Sequence, residues 1–201
     1  MRFFSIAIIT FFTIACSTAQ ERKVGGRCEG CEALFEYGDR QLDATDTLPG
    51  FEAAREKIKL SGTVFKSDGK TPAENVIIYV YQTDQKGIYP TKGNEIGWGK
   101  RHGYIRGWMK TDDSGKYSFY TFRPASYPNT TVAQHIHITV KEPGLIPYYI
   151  DDYNFADDPN LNEGHSSNHR GGNGLVKLKK SDNGLLAASR DIILGKHIPG
   201  Y

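Results

Sequence analysis

Residues 75–83 read NVIIYVYQT. Side chains of a strand point to opposite faces in turn, so Ile78 and Val80 share one face while Tyr79 and Tyr81 share the other. Working outward, the chain keeps this habit. KLSGTVF (59–65) alternates ahead of it, with SDGK (67–70) as a turn. Behind it a long Gly-rich loop, GIYPTKGNEIGWGKRHG (87–103), leads to GYIRGWMKT (103–111), the turn DDSG (112–115) and KYSFYTF (116–122). These last three read as a hairpin. RPASYPN (123–129) breaks the sheet, and AQHIHITVKE (133–142) starts another strand. PYYIDDY (147–153) offers one more. After the Gly, Ser and Asn-rich EGHSSNHRGGNG (163–174), GLVKLKK and LLAASRDIIL form a final hairpin around SDNG (181–184). Seven or eight short strands, with a helix suggested only over Phe51–Ile58, predict an all-β, antiparallel β-sandwich with long loops. Binding modules and enzymes share that architecture, so it assigns no chemistry.

Composition narrows the field. Among 201 residues, 25 Lys and Arg stand against 23 Asp and Glu, a net charge of +2 that is too balanced to mark a nucleic-acid binder. An apolar share of 38% with 12 Tyr, 10 Phe and 2 Trp fits a folded, strand-rich domain rather than a disordered chain.

The first residues, MRFFSIAIITFFTIACSTAQ, carry one early charge at Arg2 and an apolar run to Ala15. That run is too short to span a bilayer and reads as a secretory signal over residues 1–15. Cys16 after Ile14 and Ala15 resembles a bacterial lipobox, which predicts a protein lipid-anchored at Cys16 in the cell envelope. Residues 16–56 then read as a tether and staple segment, and 57–201 as the sandwich domain. In an exported chain the CEGC pair, Cys28 and Cys31, favours a local disulfide. Redox thiols and half of a metal site are the other readings, although no second CxxC completes a four-thiolate zinc site.

Chemistry concentrates in AQHIHITV. His135, His137 and Thr139 fall on one face and Ile136, Ile138 and Val140 on the other, which sets the imidazoles about 7 Å apart at the Cα level. They can converge on one metal or stand as a surface pair. The further ligands must come from elsewhere: Tyr127 lies in the loop SYPN before this strand, and Tyr89 in GIYP after the strand 75–83. A tyrosine among prolines is ordinarily an amphipathic plug, so the combination matters more than either residue. His165 and His169 share a Gly-rich loop at a spacing that suits zinc only on a helix. His102 is placed to sit at a pocket mouth, His197 is a tail residue, and Trp98 and Trp108 are aromatic packing or pocket lining.

The runs GTVFKSDGKTPAENVIIYVYQTDQKGIY, TDDSGKYSFYTFRPASYP and HIHITV together resemble the intradiol ring-cleavage dioxygenases, the catechol and protocatechuate dioxygenase superfamily. The resemblance covers about residues 60–140, in order, and carries a Gly-x-Tyr, a Pro-x-x-Tyr-Pro turn and a His-x-His strand. It implies a β-sandwich holding one non-haem ferric ion, Fe(3+), through Tyr89, Tyr127, His135 and His137. It also implies that a catechol-like substrate is opened by O2 between its hydroxylated carbons to a muconate-type diacid. Tyr127 would then be both a ligand and the base for the second catechol proton. Ferric iron is a hard cation, and a phenol that ordinarily ionises near pH 10 gives up its proton to a strong positive charge. Two departures bear on substrate: the loop from Tyr127 to His135 is shorter than in the family's catechol and protocatechuate enzymes, and the family carries an Arg three residues before the first His, where this sequence has Val132. Arg101, Arg106 and Arg123 are the cations available to replace it.

Two other readings compete. A non-catalytic sandwich of the transthyretin-like or carboxypeptidase-regulatory type explains the fold and the anchor but leaves four potential ligands in register without a purpose. A copper or zinc site keeps the metal, since imidazole suits both, although two phenols argue against zinc.

Overall fold

A computed structural model describes residues 20–161, 168–182 and 184–201. Cys16, the segment 1–15 and His165 lie outside the described residues. The strands are β1 (Thr45–Thr47), β2 (Lys57–Phe65), β3 (Ile77–Tyr81), β4 (Arg106–Lys110), β5 (Lys116–Phe122), β6 (His135–Lys141), β7 (Tyr148–Tyr149), β8 (Tyr153–Phe155), β9 (Leu175–Val176), β10 (Lys179–Lys180), β11 (Leu186–Ser189) and β12 (Ile192–Ile193). One sheet runs β1-β5-β2-β11-β10 with β12 also on β2; the other runs β4-β3-β6-β8-β9 with β7 also on β6. Among the described residues no helix is long and apolar enough to cross a membrane.

The two sheets make the expected sandwich. Ile78, Val80, Met109, Ile136, Ile138 and Val140 from one layer meet Ile58, Leu60, Val64 and Phe119 from the other, all almost fully buried in one cluster. The long central ladders β2–β5, β3–β4 and β3–β6 are antiparallel, whereas β1–β5, β2–β11, β2–β12 and β8–β9 pair in parallel. Parallel pairing lets short strands from distant segments join β2 and β5 without a hairpin turn.

Two local expectations are corrected. Strands β4 and β5 do not form a hairpin: β4 pairs with β3 and β5 with β2, so DDSG carries the chain from one sheet to the other. Asp112 closes this turn by itself, its carboxylate accepting from the Ser114 and Lys116 amides. Period-2 alternation in both flanks is satisfied equally by two strands facing each other across the core, and Met109 and Phe119 do so. The suggested helix over Phe51–Ile58 is also absent. A turn at Phe51–Ala54 gives way to β2, and Phe51 instead packs edge-on to Tyr120. The hairpin around SDNG does form, with Lys179 opposite Ala187 and Lys180 opposite Leu186.

Residues 20–56, which the sequence sets apart as tether and staple, pack onto the sandwich. Strand β1 extends the β5 edge, and Val24 and Leu48 enter the main core. Cys28 and Cys31 are joined as a disulfide, with Cα atoms 5.7 Å apart. The 3₁₀ turn Cys31–Phe35 then covers the aromatic outer face of β3 and β4, where Ala33 and Leu34 pack on Tyr79 and Trp108. The Trp108 indole donates to the Leu34 carbonyl at 3.1 Å, which satisfies its one polar atom under this cover.

Candidate metal centre

Strand β6 presents His135 and His137 on its outer face while Ile136 and Ile138 fill the core. Alternation thus delivers both rings to one surface. The other two groups arrive on loops. The segment after β3 carries Tyr89, and the segment after β5 carries Tyr127; the two press together because Gly87 has φ +78 and a Cβ there would lie 2.0 Å from the Ser126 carbonyl oxygen. A side chain at 87 would push the loops apart.

Four polar atoms converge as a result. The Tyr89 and Tyr127 hydroxyls are 2.5 Å apart. Tyr127 lies 3.1 Å from Nε2 of His135 and 3.3 Å from Nε2 of His137. The two Nε2 atoms are 3.1 Å from each other, and His137 Nε2 is 2.9 Å from the Tyr89 hydroxyl. The far nitrogens have partners of their own. His135 Nδ1 lies 2.7 Å from the Ala133 carbonyl, and His137 Nδ1 lies 3.0 Å from Oδ2 of Asp152. The Ala133 carbonyl requires an Nδ1–H on His135, which leaves the Nε2 lone pair of that ring aimed at the shared centre, while the Asp152 carboxylate stands beside the far nitrogen of His137 and Nε2 of His137 faces the same centre. Four polar atoms set this close need protons or a cation between them.

Burial strengthens this demand. It holds the His135 imidazole below its ordinary value, with the neighbouring His137 as a second cause, and so favours the neutral, ligating form. Burial likewise raises the hydroxyls of Tyr89 and Tyr127, which stay protonated until a strong positive charge displaces their protons. Two hard phenolic oxygens and two imidazole nitrogens fit ferric iron. His135, His137 and Asp152 also offer a cluster within 4.8 Å, but Asp152 is engaged at Nδ1, the side of the His137 ring turned away from the tyrosines. Its position is that of a group that orients a ligand.

A cavity of about 250 Å³ adjoins the cluster. Tyr89, Tyr127 and His137 form one wall, Tyr81, Trp98 and His102 an aromatic second wall, and Glu29 and Arg101 the rest. Tyr81 stacks between His102 and His137, with ring centroids 3.8 and 4.5 Å away. The remaining sequence candidates separate here. Arg101 reaches the cavity, whereas Arg106 pairs with Glu36 at 2.5 Å and lies against Trp108. Arg123 is held by both oxygens of Asp157 and by Gln134. His169 bonds Asp151, and His197 bonds the His169 carbonyl. Asp152, Tyr81 and Glu29 were not visible as site residues in the sequence. Tyr81 alone carried a signal, since it faces the same side of β3 as Tyr79 and stands opposite His137 in the β3–β6 ladder.

A family model described as Dioxygenase matches residues 35–184. This chain belongs to the intradiol ring-cleavage dioxygenases. As a member it is a dioxygenase, an oxidoreductase, and its fold is shared by solved structures. The dioxygenase domain of a dioxygenase and carbohydrate-binding protein fusion from Streptomyces sp. SirexAA-E is similar at 20% identity, with 79% of this chain and 94% of that one covered and a TM-score of 0.57. The 3-chlorocatechol 1,2-dioxygenase from Rhodococcus opacus 1CP gives 17% identity over 90% of this chain and 74% of that one, at a TM-score of 0.61. For the catechol 1,2-dioxygenase from Acinetobacter sp. ADP1 the values are 18%, 80%, 61% and 0.56, so this dioxygenase spans about three fifths of that relative. At such identities the likeness establishes the fold, and the chemistry must be argued from the site.

Proposed function

We propose that this dioxygenase opens a catechol-type ring with O2 between the two hydroxylated carbons, using one non-haem ferric ion held by Tyr89, Tyr127, His135 and His137. Both atoms of O2 enter the product, a muconate-type diacid, and no other reductant is needed. The observation that carries this reading is the convergence of two phenol oxygens and two imidazole nitrogens, beside a cavity of aromatic-ring size. When bound, the ferric ion supplies the positive charge that draws both protons from a catechol and makes the ring electron-rich toward O2.

The residues divide the remaining work. His135 keeps its Nε2 lone pair on the centre because its Nδ1–H donates to the Ala133 carbonyl, and Asp152 beside Nδ1 of His137 holds that ring with Nε2 toward the same centre. Tyr89 is held between Tyr127, His137 and the Tyr81 ring. Tyr127 enters from the other side, next to the exposed residues 128–132, and lines the cavity, where its oxygen can take a proton from the substrate. Tyr81, Trp98 and His102 line the cavity beside the ligands and give the incoming ring an aromatic surround.

An export signal over residues 1–15 and a lipid anchor at Cys16 would place this work at the cell envelope. Loss of fatty-acid labelling in a C16A variant, with the unsubstituted protein labelled, tests the anchor. The chemistry is tested by the visible spectrum of ferric-loaded protein under nitrogen, before and after catechol. A tyrosinate-to-iron band that shifts on addition, followed by muconate-type product when air is admitted, is expected. A colourless protein that retains no ferric iron would sink the reading.

A further inference from the structure

Cys28 and Cys31 close a four-residue ring around Glu29 and Gly30. This ring lies directly on the cavity. Gly30 has φ +82, and a Cβ there would come within 2.8 Å of the His102 ring and 3.3 Å of Trp98, so any other residue would push the ring off the aromatic wall. Glu29 is thereby carried to the outer end of the cavity, where its carboxylate meets Arg101 at 2.5 Å. Arg101 also lies 5.4 Å above the Trp98 ring. Both side chains are about two-thirds exposed, at 65% and 69%. An ion pair so wetted contributes little to stability. Its effect is on what the cavity can recognise.

Among the described residues that line the cavity, Arg101 is the one Arg or Lys and Glu29 the one carboxylate. Pairing cancels them. Val132, in the loop before β6, is 45% exposed and apolar, so it supplies no substitute cation. We propose that Glu29 determines specificity: by occupying Arg101 it makes the cavity select catechols with uncharged ring substituents and reject those that carry a ring carboxylate. This rests on the catechol reading above and names the substrate class within it. A carboxylate entering the cavity must displace Glu29 from Arg101 while facing its negative charge, whereas an alkyl substituent meets Trp98 and the pair undisturbed.

The test compares 3,4-dihydroxybenzoate with 4-methylcatechol. Dissociation constants are measured under nitrogen with ferric-loaded full-length protein, for the unsubstituted chain, E29Q, R101Q and the double variant. The unsubstituted chain is expected to favour 4-methylcatechol, and E29Q to shift the ratio of the two constants about tenfold toward the carboxylate. The double variant is expected to lose that shift, because the gain requires a freed Arg101. A ratio in E29Q within twofold of the unsubstituted chain overturns the proposal, as does a shift that survives in the double variant. If the unsubstituted chain binds neither catechol and cleaves neither in air, the catechol reading itself fails and this proposal falls with it. Cleavage with an unmoved ratio removes the specificity role alone.

Discussion

Oδ2 of Asp152 lies 3.0 Å from Nδ1 of His137, and the opposite nitrogen of that ring faces His135 and both site tyrosines. The carboxylate is thus placed to orient the ring so that Nε2 is the nitrogen offered to the centre. D152N keeps the shape and removes the charge. Ferric affinity, measured by competition with a chelator, is expected to fall about tenfold or more while the far-ultraviolet spectrum is unchanged. Unaltered affinity would mean that Asp152 has no part in holding the ring.

Tyr89 and Tyr127 touch each other, yet their surroundings predict different losses. Replacing Tyr127 with Phe removes the group assigned to take the substrate proton and should lower kcat by about 10²-fold or more, with iron still retained. Y89F should chiefly weaken the charge-transfer band and iron retention. Metal content and single-turnover rates on the two variants separate these roles, and normal ring cleavage by Y127F would refute the assignment.

The loops that carry these tyrosines are joined by the Ala125 amide on the Asp84 carbonyl, and they close fully because residue 87 has no side chain. G87A must accommodate both a positive φ and a methyl group against the Ser126 carbonyl. We expect a loss of about 2 kcal/mol or more in urea unfolding, together with reduced iron retention. A fully stable variant with a normal spectrum would show that the loops need no such contact.

His102 makes stability depend on pH. Burial, with nearby His137 as a second cause, pushes its pKa down to about 4, and its Nδ1 is 2.9 Å from the Tyr79 hydroxyl. In the unfolded chain it titrates near 6.5, as an ordinary His does. Below about 6.5 the unfolded chain therefore takes up a proton that the folded protein refuses. Stability should fall as pH drops from about 6.5 to about 4 and level off below, by roughly 3 kcal/mol from this group. Urea midpoints across that range should show a shallower slope in H102Q.

The cover formed by Cys31–Phe35 is part of the folded body. Leu34 is fully buried against the outer face that carries Tyr79 and Trp108. L34A should cost about 2–5 kcal/mol in chemical unfolding. A near-neutral effect would mean that this segment only rests on the sandwich.

Much of this was legible in the chain itself. Alternation in NVIIYVYQT and HIHITV sorted Ile78, Val80, Ile136, Ile138 and Val140 to the core and the histidines to the outer face, because a strand with one buried face admits a single register. The ligand candidates Tyr89 and Tyr127 stood out through a resemblance in short motifs, and the fold brings them onto His135 and His137. Periodicity was silent on pairing partners: the same alternation in residues 106–122 suits a hairpin or a crossing between sheets, and only packing across the core chooses. It was equally silent on Asp152, since one carboxylate in PYYIDDY looks like any other until β8 pairs with β6 and brings the neighbouring segment beside His137.

What the sequence determined by itself is thus local: which segments are strands, which faces are apolar, and which residue types are available to hold a hard cation. These follow from side-chain geometry within a few residues. The tertiary structure decided the long-range matters, namely which strands share a sheet, which nitrogen of each site His faces the centre, and that Glu29 of the Cys28–Cys31 ring faces Arg101 from 72 residues away. Such contacts depend on how whole layers close over one another, and no short-range pattern records that closure.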